Sequence, residues 1–432
     1  MSGPRRFGQH LNVTCRLTLP EPEPPPRSLP LRLLRAGGVV VTALALLTGL
    51  GYGAVALVTP SQPPGSVPGR AAGAPATTAG PPPGIVFLDI DHLSMTGYRP
   101  RLTAALTPQD SYAFAPDPSG RVLVTASGQI VDPASSPASP KTSAALPAGF
   151  DRAVHPWADG GRSLLLVSLD RLVLWSRASG ELRPLGAGSG ERDYPAATGP
   201  VPRSDFAADP VRAAVVAVVP GKRVYGPYGP TSTTDRVEYR SLGERPRVLL
   251  TARRFRQLVG LPAKYDVALS VNVAGTGDYV AVSGSGFPQG VNGVNNTPSS
   301  VVVLHRDGRL AAVVRSTGGR SWFADAWSPT SPALALIEGV NDVGGNPTEE
   351  SLYLLNFDRA DHPTKVDLPL PPPGPGGRTF LGTVSWSPDG NQLVAGTTRA
   401  WFVVGFAPYA VSTFIDVPGN PVGWLRLPTG EH

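Results

Sequence analysis

A chain of 432 residues with 50 glycines and 50 prolines is rich in turns, and 41% apolar residues suffice for a large core. A single cysteine, Cys15, excludes an intramolecular disulfide framework and a cysteine-rich zinc site. The net charge of +6 is no nucleic-acid footprint: residues 1–35 hold six arginines and two glutamates, and the remaining 32 basic and 30 acidic residues leave only +2 elsewhere.

Residues 1–35 read as a basic, proline-rich cytoplasmic tail with no docking motif. Residues 36–58 contain 23 positions without a charge. At ~1.5 Å per residue they reach about 35 Å, enough to cross a hydrocarbon core of ~30 Å as a transmembrane signal anchor. Arg27, Arg32 and Arg35 precede the run and the next charge after it is Arg70. The positive-inside bias therefore predicts a cytoplasmic N-terminus, a single pass of the cell membrane and an extracytoplasmic remainder. Ala54-Val55-Ala56 fits a cleavage site, so a cleaved signal peptide stays as the alternative. Ala45, Gly49 and Gly53 place small residues on one helix face, which would permit a weak homodimer, although glycine is common in membrane helices anyway. Residues 59–84 hold eight prolines, five glycines and one charge, and read as an extended linker.

From residue 85 to 432 the chain reads as short apolar strands between Gly, Pro, Asp and Asn turns. A unit recurs, clearest at SWSPDGNQLVAGTT (385–398): an aromatic-ended strand, a turn, then an apolar strand. Trp327-Ser328-Pro329 before ALALIEG and Trp157-Ala158-Asp159-Gly160-Gly161 before RSLLLV repeat it. Weaker copies cover 115–124, 207–216 and 274–282. The positions aligned with Gly390 are 120, 161, 211, 277, 331 and 390, and a second strand pair follows most of them. The expected fold is all-β, a propeller of six or seven four-stranded blades with seven favoured.

These units resemble the WD-repeat-like propeller repeats of TolB-type periplasmic proteins, whose hallmark is Trp-Ser-Pro-Asp-Gly ahead of an apolar strand. The resemblance is strong at Trp386 to Gly390 and poor at position 211. It implies a fold and transfers no function. Residues 85–106 read as two outer strands of a blade, and residues 424–430 as the start of a further unit, so a blade shared by both ends would close the ring.

No nucleophile elbow, P-loop, HExxH or CxxC is present, and His92, His155, His305 and His362 lack paired spacing. No enzyme, cofactor or metal is therefore expected. Trp157, Trp327 and Trp386 are expected to pack between blades, and Asp389 to cap backbone N–H groups. The functional lead is loop length. The connections between second and third strands are tight near residues 127–128, 169–170 and 398–399, and long at 220–235, 284–299 and 338–350. The long ones fall in consecutive units, as a crescent on one face. They carry the expected partner-binding residues Arg223, Tyr225, Tyr228, Phe287, Asn292, Asn295, Asn341 and Asp342. Lys222 and Arg223 at one end face Asp342, Glu349 and Glu350 at the other. The expected role is a membrane-tethered binding or scaffold module for an envelope protein or cell-wall component. A transmembrane signalling protein with a propeller sensor and an exported propeller hydrolase are the alternatives.

Overall fold

The computed structural model divides the chain into two units, residues 1–47 and 48–432. It describes residues 85–89, 94–97, 103–105, 115–124, 129–132, 141–168, 171–186, 203–221, 223–226, 229–232, 235–263, 265–288, 299–317, 320–341, 347–358, 362–369, 381, 383–396, 400–406, 409–415 and 420–424, all in the second unit. The tail, the apolar run with Ala45, Gly49 and Gly53, and the linker lie outside the described residues. Among the described residues no helix is long and apolar enough to cross a membrane.

The described strands build seven four-stranded blades and one additional hairpin. Numbered along the chain, blade 1 combines residues 85–105 with Asn420–Trp424. Blades 2 to 7 span residues 115–145, 151–186, 203–251, 265–314, 320–365 and 383–415. The first strand of each of blades 2–7 is innermost, and each inner strand lies against the next around the whole ring. Between blades 3 and 4 this contact becomes parallel pairing of Asp151–Ala158 with Arg203–Ala208, fusing two blades into one eight-stranded sheet.

Ring closure differs in detail from the sequence expectation. Residues 85–105 supply three outer strands, not two, and the inner strand ends at Trp424 instead of beginning there. Ile85 pairs with Trp424 and Leu88 with Asn420. Trp424 thus ends an inner strand, as Trp327 and Trp386 do.

Position in the blade explains the sequence pattern. Second and third strands are covered on both faces by neighbouring blades, so they read as unbroken apolar runs such as Ser163–Val167 and Ala214–Val219. Outer strands such as Leu182–Gly186 alternate with exposed residues. The core is accordingly divided into layers between blades. Leu164 and Leu166 face Trp157 and Ile130 of one layer, whereas Leu165 and Val167 face Phe206 and Val215 of the next.

The recurrent turn joins the layers. Trp157 Nε1 donates to Ala115 O (2.8 Å), and Trp386 Nε1 donates to Ala326 O (3.1 Å), each on the preceding blade's inner strand. In the WSPDG turn Gly390 N donates to Ser387 O (2.9 Å), while Asp389 Oδ1 accepts from Ser387 Oγ (2.6 Å) and Asn391 N (3.1 Å). Asp389 is thus the N–H cap its position implied. Burial raises its carboxyl, but these bonds outweigh it and hold it below the usual carboxylate range. Gly390 sits at φ +71, and a Cβ there would meet Thr330 Oγ1 and Ser328 Oγ on blade 6. Gly390→Ala should cost about 1–2 kcal/mol from the left-handed backbone. Urea titration checks this, and an unchanged midpoint would contradict it.

Candidate interaction face

The connections from second to third strands lie on the face opposite these turns. In blade 3 the connection is tight, with Ser168 N donating to Arg171 O (2.8 Å). Only residues 397–399 separate the corresponding strands of blade 7. Blades 4, 5 and 6 carry arms instead. In blade 4 the arm is the hairpin Arg223–Gly226 with Gly229–Ser232. In blades 5 and 6 the second strands run to 10 residues (Tyr279–Pro288) and 9 residues (Ala333–Asn341), against 5 in blades 3 and 7. At ~3.4 Å per residue, the extra length is about 15 Å of ordered strand.

The expected crescent of loops is therefore partly β-structure, which corrects four of its residues. Arg223 and Tyr225 lie on the first strand of the hairpin, opposite Ser232 and Pro230. Phe287 lies in Tyr279–Pro288 opposite Asp266, and Asn341 closes Ala333–Asn341 opposite Pro347. Tyr228, Asn292, Asn295 and Asp342 lie outside the described residues, as does Lys222. Gly284, one of the glycines that made 284–288 resemble a loop, has a packing role. A Cβ at Gly284 would meet Leu269 Cδ2 at 2.7 Å and Phe255 Cζ at 2.8 Å. Phe255 projects from the helix Ala252–Val259, whose N-terminus is capped by Thr251 Oγ1 accepting from Arg254 N. The helix thus braces the arm of blade 5.

At the arm bases sit buried carboxylates that sequence reading passed over. Glu238, in blade 4, accepts from Arg236 Nε and from Arg240 Nε (3.0 Å). Burial raises its carboxyl, but the bonds and charges of the two arginines hold it below the usual range. Glu338, in blade 6, accepts from Arg320 Nη1 at 3.0 Å on both oxygens and from Tyr353 Oη at 3.0 Å. Burial and then the Glu338 charge push the Tyr353 phenol upward. The visible signal was an acid within an apolar strand, with Arg236, Glu238 and Arg240 at the two-residue spacing of one strand face.

Glu350 overturns part of the expected charge polarity. It is 9% exposed, and Oε2 accepts from Leu381 N at 2.6 Å. Burial pushes it up to about 7; the Leu381 N–H pulls against this and the charge of Asp325 adds to it. It therefore belongs to the layer between blades 6 and 7 and not to the surface. With the folded value above an ordinary 4.5, its contribution is full below pH 4.5 and is lost as pH rises through 7. The lost stability is on the order of 3 kcal/mol. Glu350→Gln keeps an acceptor for Leu381 and should raise stability relative to the parent progressively across that window. Parallel stability–pH curves for the two proteins would contradict this.

His305 packs against Tyr279 with tilted rings and centroids 5.0 Å apart, and no group of three or more metal-ligating side chains occurs among the described residues. His92 lies outside them.

The strand order, the closed ring and the recurrent turn define a WD-repeat-like β-propeller of seven blades, a fold that mounts loops on a rigid ring. No known protein family and no curated protein matches the sequence. Among solved structures, the chain is similar to the Swd1 β-propeller domain of Myceliophteria thermophila, with 13% identity, a TM-score of 0.42, and coverage of 71% of this chain and 87% of that one. It is also similar to a TolB structure from Agrobacterium tumefaciens (15%, TM-score 0.34, 65% and 85%). A third is the dipeptidyl peptidase 4 of Porphyromonas gingivalis (12%, TM-score 0.37, 61% and 39%).

Proposed function

We propose that the propeller is the extracytoplasmic part of a membrane-tethered binding or scaffold protein, and that it takes an envelope protein or cell-wall component on the arm face. The observation that carries this reading is that, among the described residues, such arms occur on three consecutive blades of a closed ring. Joining adjacent strands needs only 2–5 residues, so a hairpin and two strands of about double length, one of them braced by a helix, are surplus to folding. Arg223, Tyr225, Phe287 and Asn341 on the arm strands, with Tyr228, Asn292, Asn295 and Asp342 in the sequence between those strands, supply aromatic area and adaptable amides. The tether is the uncharged run 36–58 behind its arginines.

The test has two readouts. A reporter active only in the cytoplasm, fused after His432, should be silent. Replacing the three arms by tight turns, with folding confirmed by circular dichroism, should remove the partner captured by crosslinking in intact envelopes. An unchanged capture would move the binding surface off the arm face.

A further inference from the structure

On the opposite face, blades 2 and 3 part to leave a cleft of about 770 Å³, unrelated to the arms. Its walls are the turns after the first strands of both blades and the turn Arg177–Gly180 of blade 3. Four arginines line it: Arg121, Arg162, Arg177 and Arg183. Three carboxylates line it too, so its donors rather than its net charge decide what it holds.

Two of those carboxylates are engaged locally. Asp117 accepts from Ser119 Oγ (2.5 Å), Arg121 N (2.7 Å) and Val122 N (2.9 Å), and Asp159 holds Arg162 at 2.6 Å. The third, Glu181, stands at the exposed rim. Three guanidinium groups thus face the cleft with no carboxylate bonded to them among the described residues. Arg177 lies over the Trp157 ring, its guanidinium carbon 5.5 Å from the centroid. Arg183 Nη2 donates to Ser163 Oγ (3.1 Å), while its Nε is buried with no acceptor among the described residues. That Nε is sealed from solvent, so Arg183 meets the cleft through other atoms of its side chain. The floor is apolar, formed by Val122, Ile130 and Trp175.

We infer that this cleft is a binding site for a small organic anion carrying a tetrahedral oxyanion, a phosphoryl or sulfuryl group. The oxyanion would accept from the Arg121 and Arg177 forks, with the positive charge of Arg183 beside them, and the remainder of the molecule would lie on the Trp175 floor. Planar guanidinium forks match tetrahedral oxyanions bidentately, and the open cleft leaves room for the rest of a small molecule. The site is independent of the arm face, so either reading can fail alone.

The experiment is calorimetric titration of the full chain with inorganic pyrophosphate, sulfate and citrate, with tryptophan fluorescence in parallel. Saturable binding of pyrophosphate or sulfate is expected, with the stronger of the two identifying the group, and citrate at least about tenfold weaker. Arg121→Gln, an exposed side chain whose loss leaves the fold intact, should weaken binding about tenfold, and Arg183→Gln several-fold. The assignment is overturned if neither tetrahedral anion binds saturably below about 10 mM, if citrate binds best, or if Arg121→Gln binds as tightly as the parent.

Discussion

A chain truncated after residue 419 is expected to fail to fold as a cooperative domain. The cut removes Asn420–Trp424, the inner strand of blade 1, with its ladder to Ile85–Asp89 and its contacts with Thr383–Trp386 and Ala115–Pro116 on either side. Trp424 is only 4% exposed, and losing a buried tryptophan costs about 3–5 kcal/mol. Each ladder bond adds ~1 kcal/mol, so the total approaches the ~5–15 kcal/mol that holds a typical domain together. Opening the ring also exposes the inner edge of Ile85–Asp89 for pairing with other chains. A peptide covering residues 416–432 should restore folding in trans by adding the missing strand. A truncated protein that melts at the parent temperature would show that blade 1 does not close the ring.

Asp209→Ala should be the most damaging single substitution outside the apolar layers. Asp209 is fully buried in the first turn of blade 4, where Oδ1 accepts from Val211 N (2.9 Å) and Arg212 N (3.1 Å) and Oδ2 from Tyr239 Oη (2.7 Å). Arg212, 3.4 Å from Oδ2, donates onward to Gly277 O (3.1 Å) in blade 5. Alanine leaves these donors without their acceptor, and breaking such a buried charge-paired hub costs about 3–5 kcal/mol. For a domain of this size that lowers Tm by roughly 4–8 °C. Asp209→Asn, which retains one acceptor oxygen, should lose about half as much, and Tyr239→Phe ~1 kcal/mol. Equal Tm values for the alanine variant and the parent would remove Asp209 from its place as a link between blades.

The repeat was legible because its turn imposes local chemistry. Gly120, Gly161, Gly277 and Gly390, picked out by alignment alone, all adopt positive φ, between 70 and 82°. The copy at 211 was faint for a physical reason: there Asp209, Arg212 and Tyr239 stabilise the turn in place of Trp and Gly, and Tyr239 lies 30 residues away. The arms were only half legible. Gly284 and Gly286 imitate a loop, and nothing local reveals that Phe255 needs the space at Gly284. Glu238 carries its partners on its own strand, but Glu338 waits for Arg320 and Glu350 for Leu381, which only the sheet and the next blade bring near. The parallel seam between Asp151–Ala158 and Arg203–Ala208 has no counterpart in any repeat pattern. The arginine cleft escaped notice because its donors come from turns in two blades, and charge totals conceal which carboxylates are already engaged.

The closed ring fixes where both faces lie, and a single crosslink tests it most directly. Leu88 and Asn420 are paired partners across the shared blade. With Cys15 replaced by serine, a full chain carrying Leu88→Cys and Asn420→Cys should form a disulfide on mild oxidation, because paired Cα atoms fall within the ~4.4–6.8 Å a disulfide spans. The oxidised chain should run faster on a non-reducing gel and unfold at higher temperature than its reduced form. Two thiols that stay fully reactive in the folded protein would contradict a ring closed through blade 1.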